Sequence, residues 1–89
     1  MTYDKIKEAA DRYRVTLLNE GFDPKRNEKG AYACGDDELF GHILWMCEEI
    51  YKGEMGIEKA FRWIGFVQGV LFAKNIFSIT EMMAHNSPE

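Results

Sequence analysis

The stretch from Ile57 to Lys74, IEKAFRWIGFVQGVLFAK, decides how this chain folds. It holds no proline, and its apolar residues (Ala60, Phe61, Trp63, Ile64, Phe66, Val67, Val70, Leu71 and Phe72) recur at three- and four-residue spacing. That period predicts a helix over 57–74. Apolar positions surround it almost completely, and a helix of that kind is buried on more than one side. Residues 60–73 are only fourteen and include Arg62 and Gln68, whereas a membrane span needs about 20. The segment therefore reads as a core helix.

On its C-terminal side, Asn75 suits a helix end. Ser78-Ile79-Thr80-Glu81 is a capping box, with Phe77 placed to staple against Met82. On its N-terminal side, Gly53 closes a second helix predicted over Asp37 to Lys52, with Asp36 or Asp37 as cap and Glu38 in the first turn. Leu39, Phe40, Ile43, Leu44, Cys47, Ile50 and Tyr51 give it a broad buried face, with Glu48 and Glu49 toward water. The first helix is predicted over Tyr3 to Asn19, with Thr2 as N-cap, Asp4 at the positive end and Gly21 closing it. Its apolar stripe is Ile6, Ala9, Ala10, Tyr13, Leu17 and Leu18. Residues 22–35 lack periodicity and contain Pro24 and Gly30; connections this long tend to be functional or mobile, and Phe22 and Tyr32 are the groups able to pin this one to the core. The expectation is an all-α fold over a single domain, 1–89: a small helical bundle of three main helices, a short C-terminal helix, and a long irregular loop between helices one and two.

Eighty-nine residues seldom divide into two cores, and 46% hydrophobic content in so small a volume leaves aromatic surface outside. A domain this size covers a helix that is greasy all round only with difficulty, so a homo-oligomer or an obligate partner is expected. The net charge of −4 argues against general nucleic-acid binding. The acid excess is central: residues 31–58 hold Lys52 alone against seven carboxylates. Two cysteines, Cys34 and Cys47, are too few for a disulfide-stapled secreted domain. The N-terminal residues show no signal-peptide pattern, which leaves the cytoplasm as the expected location.

Among candidate groups, Gly65 and Gly69 lie four apart with Ala73 four further on, on one helix face. Glycine costs about 1 kcal/mol relative to alanine inside a helix, so close approach of another backbone is the expected compensation. That backbone belongs either to a second copy or to helix one or two of the same chain. Arg62 can pair with an acid of helix two or meet an anionic ligand. Trp63 can anchor a partner, stack on a base or serve as core. Gln68 suits a buried backbone group. Lys25, Arg26 and Lys29, with Tyr32 able to stack on a base, can cradle a phosphate, though no glycine-rich phosphate loop accompanies them and a solvated charge run has the same pattern.

Cys34 precedes the second helix, where a thiol pKa falls, but no orienting base accompanies it: His42 lies two turns along. Cys34, His42 and Cys47 lack zinc spacing, and Glu38 with His42 reads as a surface ion pair. Ser78 and Ser87 are the only serines, one a cap and one in the tail, so no catalytic triad is available. No catalytic residue, metal or cofactor is expected.

The strings EKAFRWIGFVQGVL and SITEMMAHN, within Glu58 to Asn86, resemble a pattern in small accessory proteins of tailed bacteriophages, KAxRW(L/I)GFxQGVL followed by an (S/T)IxEM helix ending in Asn. The matching positions are Lys59, Ala60, Arg62, Trp63, Gly65, Phe66, Gln68, Gly69 and Glu81. The resemblance implies a phage product that inhibits, decoys or sequesters a host component, acting in the host cytoplasm. It transfers no activity. The expected function is a non-enzymatic regulator that self-associates through Phe61, Arg62, Trp63, Gly65, Phe66, Gln68, Gly69 and Phe72 and binds a host protein, such as a defence component. The alternative is an oligomeric sponge for a nucleotide-like small molecule, using Arg62, Trp63 or the Lys25/Arg26/Lys29 loop. A minimal enzyme built on Cys34 or His42 is the third reading.

Overall fold

A computed structural model describes residues 2–27 and 35–86. Four helices follow in chain order, α1 (Tyr3–Asn19), α2 (Asp36–Lys52), α3 (Ile57–Ala73) and α4 (Ile79–Asn86). The fold is all-α, a small bundle of three long helices and one short one. Lys29, Tyr32 and Cys34 lie outside the described residues.

Local signals set most of the helix ends. Thr2 accepts the Lys5 N–H at 3.2 Å, as an N-cap hydroxyl should. Gly21 and Gly53 take the left-handed conformation at φ 95° and 74°. Asn75 does the same at φ 62° and closes α3 by donating to the Phe72 carbonyl at 3.0 Å, while Ile76 donates to the Leu71 carbonyl at 2.8 Å. This is the paired hydrogen-bond pattern of a Schellman end. The Ser78/Glu81 box is reciprocal: Glu81 N–H donates to Ser78 Oγ at 3.1 Å and Ser78 N–H to Glu81 Oε1 at 2.8 Å. One cap differs from expectation. Gly35 is the N-cap of α2, with no side-chain cap bond, and Asp36, Asp37 and Glu38 all fall in the first turn, where they complement the helix dipole.

The core is a single cluster. Ile6, Ala10, Tyr13 and Leu17 of α1 meet Ile43, Leu44, Cys47 and Ile50 of α2, and Ala60, Ile64, Val67 and Leu71 of α3 close it. The α1–α2 contact is the most extensive, and α4 docks on α1. Two residues assigned to the buried stripes, Leu18 and Tyr51, are instead exposed, each at the shoulder of its helix. The Tyr51 ring lies under Lys7 Nζ at 5.7 Å and the Arg14 guanidinium at 5.4 Å, so it serves as a cation platform. Phe22 pins the start of the connection by packing on Phe40, centroids 5.0 Å apart.

Candidate functional site

Among the described residues α3 is covered on one side only. Its buried residues, Ala60, Ile64, Val67 and Leu71, make a narrow stripe. On the opposite face Phe61, Phe66 and Phe72 are 41%, 49% and 46% exposed. Between these rings run Gly65 and Gly69, and among the described residues a Cβ built on either glycine meets nothing within 4 Å. The reading in which α1 or α2 packs on the glycines is therefore overturned; those helices occupy the opposite side. Arg62 is on the same outer face and makes no ion pair among the described residues, so it does not pair with an acid of α2. Six of the eight residues expected at an interface thus share one exposed face. Trp63 and Gln68 point elsewhere.

Gln68 bonds side chains rather than a buried backbone group. Its Nε2 donates to Tyr13 Oη at 2.9 Å and to Asn86 Oδ1 at 2.7 Å, and Asn86 Nδ2 donates back to Gln68 Oε1 at 3.2 Å. Tyr13 Oη in turn lies 2.8 Å from His85 Nδ1. Phe77 seals the group, its ring 5.3 Å from Tyr13 and 5.0 Å from His85. This network ties α1, α3 and α4 together and contains no group poised to attack a substrate.

Trp63 forms a wall of an open cleft of about 1000 Å³ between α2, the α2–α3 turn and the first half of α3. Trp45 of α2 stands opposite, with ring centroids 5.6 Å apart and planes at 44°. His42 packs on the other side of Trp45 at 5.4 Å. Each indole carries a cation over its face: Arg26 at 5.3 Å from Trp45 and Lys59 at 5.0 Å from Trp63. Of the basic residues proposed for phosphate binding, Arg26 reaches this cleft. Lys25 does not line it; its backbone N–H is held by the Gly41 carbonyl at 3.0 Å.

His42 accepts the Asn27 N–H on Nδ1 at 3.0 Å, which leaves its proton on Nε2. Burial, with the Arg26 charge in a smaller part, pushes its pKa below the ordinary histidine value. A neutral imidazole held this way does not form the expected ion pair with Glu38. Cys47 is fully buried, and desolvation pushes its thiol up to about 12. Among the described residues, no three His, Cys, Asp or Glu side chains are grouped to hold a metal ion, and no helix is long and apolar enough to cross a membrane.

Sequence reasoning missed Trp45 and the Tyr13–His85 contact, and it placed Lys59 in the phage-type pattern without its contact to Trp63. Trp45 lies beside the buried stripe of α2 and, like Trp63, is partly buried against the core. Lys59 stands one helical turn before Trp63, a spacing at which side chains meet. No protein-family model matches the chain, and neither a curated protein nor a solved structure is detectably similar to it.

Proposed function

We propose that this chain is a non-enzymatic association protein that pairs with a second copy of itself through the outer face of α3 and, so assembled, binds another protein. The observation that carries the reading is the open face itself: three half-exposed phenylalanines beside two helix-interior glycines that nothing among the described residues approaches. Exposed apolar groups concentrated in this way mark contact surfaces. Each glycine costs its helix about 1 kcal/mol relative to alanine, a cost that intramolecular packing here does not offset. A second α3 lying across the face offsets it, because bare glycines let two backbones come close.

The register of such a pair follows from the positions. An antiparallel crossing midway between the glycines sets Gly65 against Gly69 of the partner subunit. It also sets Phe61 against Ala73 of the partner subunit and Arg62 against Phe72 of the partner subunit. Large groups then meet small ones, and a guanidinium meets an aromatic ring, which is favourable. The arrangement is isologous, as most homodimers are.

The likeness of residues 58–86 to phage accessory proteins supports a host protein, in the host cytoplasm, as the further partner. Inhibition of a defence component is the role we propose for it. Light scattering tests the association on which this rests. Wild type is expected at about twice 10.3 kDa, and Gly65→Leu, which places a branched side chain in the crossing, at the single-chain mass. A wild-type mass that stays at one chain up to the highest soluble concentration overturns the proposal.

A further inference from the structure

Among the described residues, five exposed large hydrophobic side chains gather on one flank of the fold: Ile57, Phe61 and Phe72 of α3 with Ile79 and Met83 of α4. Helix geometry sets them there. At 3.6 residues per turn, Ile57, Phe61, Gln68 and Phe72 share a sector of about 60° on α3, and Ile79, Met83 and Asn86 share one of similar width on α4. Gln68 and Asn86 hydrogen-bond each other in both directions, at 2.7 and 3.2 Å, so the two sectors adjoin. The flank lies beside Gly65 and Gly69 and away from Trp63 and Phe66, which the helix turns to its other shoulder. α4 is held from behind, with Met82 and His85 buried and His85 bonded to Tyr13 at 2.8 Å. Ile79 and Met83, 58% and 68% exposed, lie away from that anchorage.

A second copy is the occupant that area and symmetry favour. Whole aromatic side chains offer about 200 Å² each, so Phe61, Phe66 and Phe72 at their observed exposure present about 270 Å². A stable interface takes about 800 Å² from each partner, and Ile57, Ile79 and Met83 roughly double what the rings supply toward it. Symmetry brings these groups into reach. In an antiparallel isologous pair the two-fold axis runs across both helices, in the plane between them. The same flank of each α3 then faces the same way, and the C-terminal end of one helix lies beside the N-terminal end of the other. α4 follows α3 after the short join 74–78, so it stands at that C-terminal end. Ile57 and Phe61 stand at the N-terminal end, in the first two turns. We propose that α4 is a second contact arm of the homodimer, Ile79 and Met83 of each copy packing on Ile57 and Phe61 of the other, while the Gln68–Asn86 pair fixes the arm in place.

The arm rests on the proposed pairing of α3, and paired crosslinking separates the two. In a Cys34→Ser background Cys47 is fully buried, so each variant chain below carries one reactive thiol. An Ile57→Cys chain is mixed with an isotopically labelled Ile79→Cys chain, and a Gly65→Cys chain with a labelled Gly69→Cys chain. Both mixtures are treated with a short bismaleimide. Pairing of α3 yields a mixed product from the second mixture. The α4 arm yields one from the first as well, in excess of either self-linked product. Light scattering of an Ile79→Lys/Met83→Lys variant gives a second reading: its dimer dissociation constant should rise at least tenfold over wild type. Both side chains are exposed, and circular dichroism checks that the variant keeps its helices; should it not, the crosslink alone decides. A linked 65/69 mixture without a linked 57/79 mixture overturns the α4 arm and leaves α3 pairing standing. So does a folded double lysine variant that associates as tightly as wild type. A wild type that stays at the single-chain mass overturns both.

Discussion

Tyr13 and His85, seventy-two positions apart, meet through a 2.8 Å hydrogen bond that fastens the last helix to the first. Tyr13 is fully buried and His85 nearly so. The hydroxyl accepts from Gln68 and shares a second hydrogen bond with Nδ1 of His85, in which the histidine tautomer sets the donor. The amides of Gln68 and Asn86, paired head to tail, hold the donor in place.

Replacing Tyr13 with phenylalanine keeps the ring packing on Phe77 but leaves His85 Nδ1 without its hydrogen-bond partner. An orphaned buried donor or acceptor costs about 1–3 kcal/mol. Tyr13→Phe is therefore expected to lower the urea midpoint by a corresponding amount with an unchanged slope. Amide exchange should rise first in α4. An unchanged midpoint would show that the hydrogen bond contributes nothing net.

Acid should loosen the same joint. Burial, helped by the Arg12 charge, lowers the pKa of His85 below its ordinary 6.5, and Glu81 opposes this only in part. A base whose folded pKa is depressed binds more protons when unfolded, so stability rises with pH across the interval between the two values. The contribution is complete above pH 6.5 and is lost as pH falls through the folded pKa. His42, lowered by burial and Arg26, acts in the same direction. Urea midpoints measured from pH 7.5 down to about 5 should fall, and His85→Gln should flatten part of the slope. A midpoint independent of pH over that range contradicts the assignment of neutral histidines.

The glycine at the end of α1, the Asn75 closure of α3 and the Ser78/Glu81 box were legible because each is a local preference with one physical solution. The three long helices followed from apolar spacing for the same reason. What was not legible depends on how the helices lie against one another. The 57–74 segment shows nearly continuous apolar residues, and nothing in that string distinguishes the stripe under Ile64 and Leu71 from the face under Phe66. Only packing assigns one to the core and the other to the surface. Gln68 is similar, since its partners come from α1 and α4. Trp45 and Trp63 became neighbours only when α2 and α3 brought their rings to 5.6 Å.

Cys47 should be chemically silent in the native state. It is fully buried, and its thiol pKa of about 12 leaves almost no thiolate at neutral pH. In a Cys34→Ser background, alkylation at pH 7.5 is expected only at the rate of global unfolding, and denaturant should release it. Rapid modification without denaturant would mean that the α1–α2 contact opens locally.

The three glycines inside helices make a controlled comparison, because the same substitution meets different surroundings at each. A Cβ on Gly41 would lie 3.1 Å from the Asp23 carbonyl oxygen, at the point where the Lys25 N–H bonds the Gly41 carbonyl at 3.0 Å. The tight neighbour is backbone, so relief requires Asp23 to shift by a few tenths of an ångström against the Lys25–Gly41 hydrogen bond. At Gly65 and Gly69 a Cβ meets nothing. Alanine gains about 1 kcal/mol over glycine in a helix interior, so Gly65→Ala and Gly69→Ala should stabilise the dilute single subunit by up to that amount. Gly41→Ala strains the tether of the connection and should be less stabilising than either, or destabilising, despite the same propensity gain. At concentrations where α3 pairs, the gain at residues 65 and 69 should shrink, because the added methyl groups separate the two backbones. Thermal melts of the three variants over a hundredfold range of protein concentration separate these effects. If Gly65→Ala is equally stabilising at every concentration, its methyl group meets no second helix.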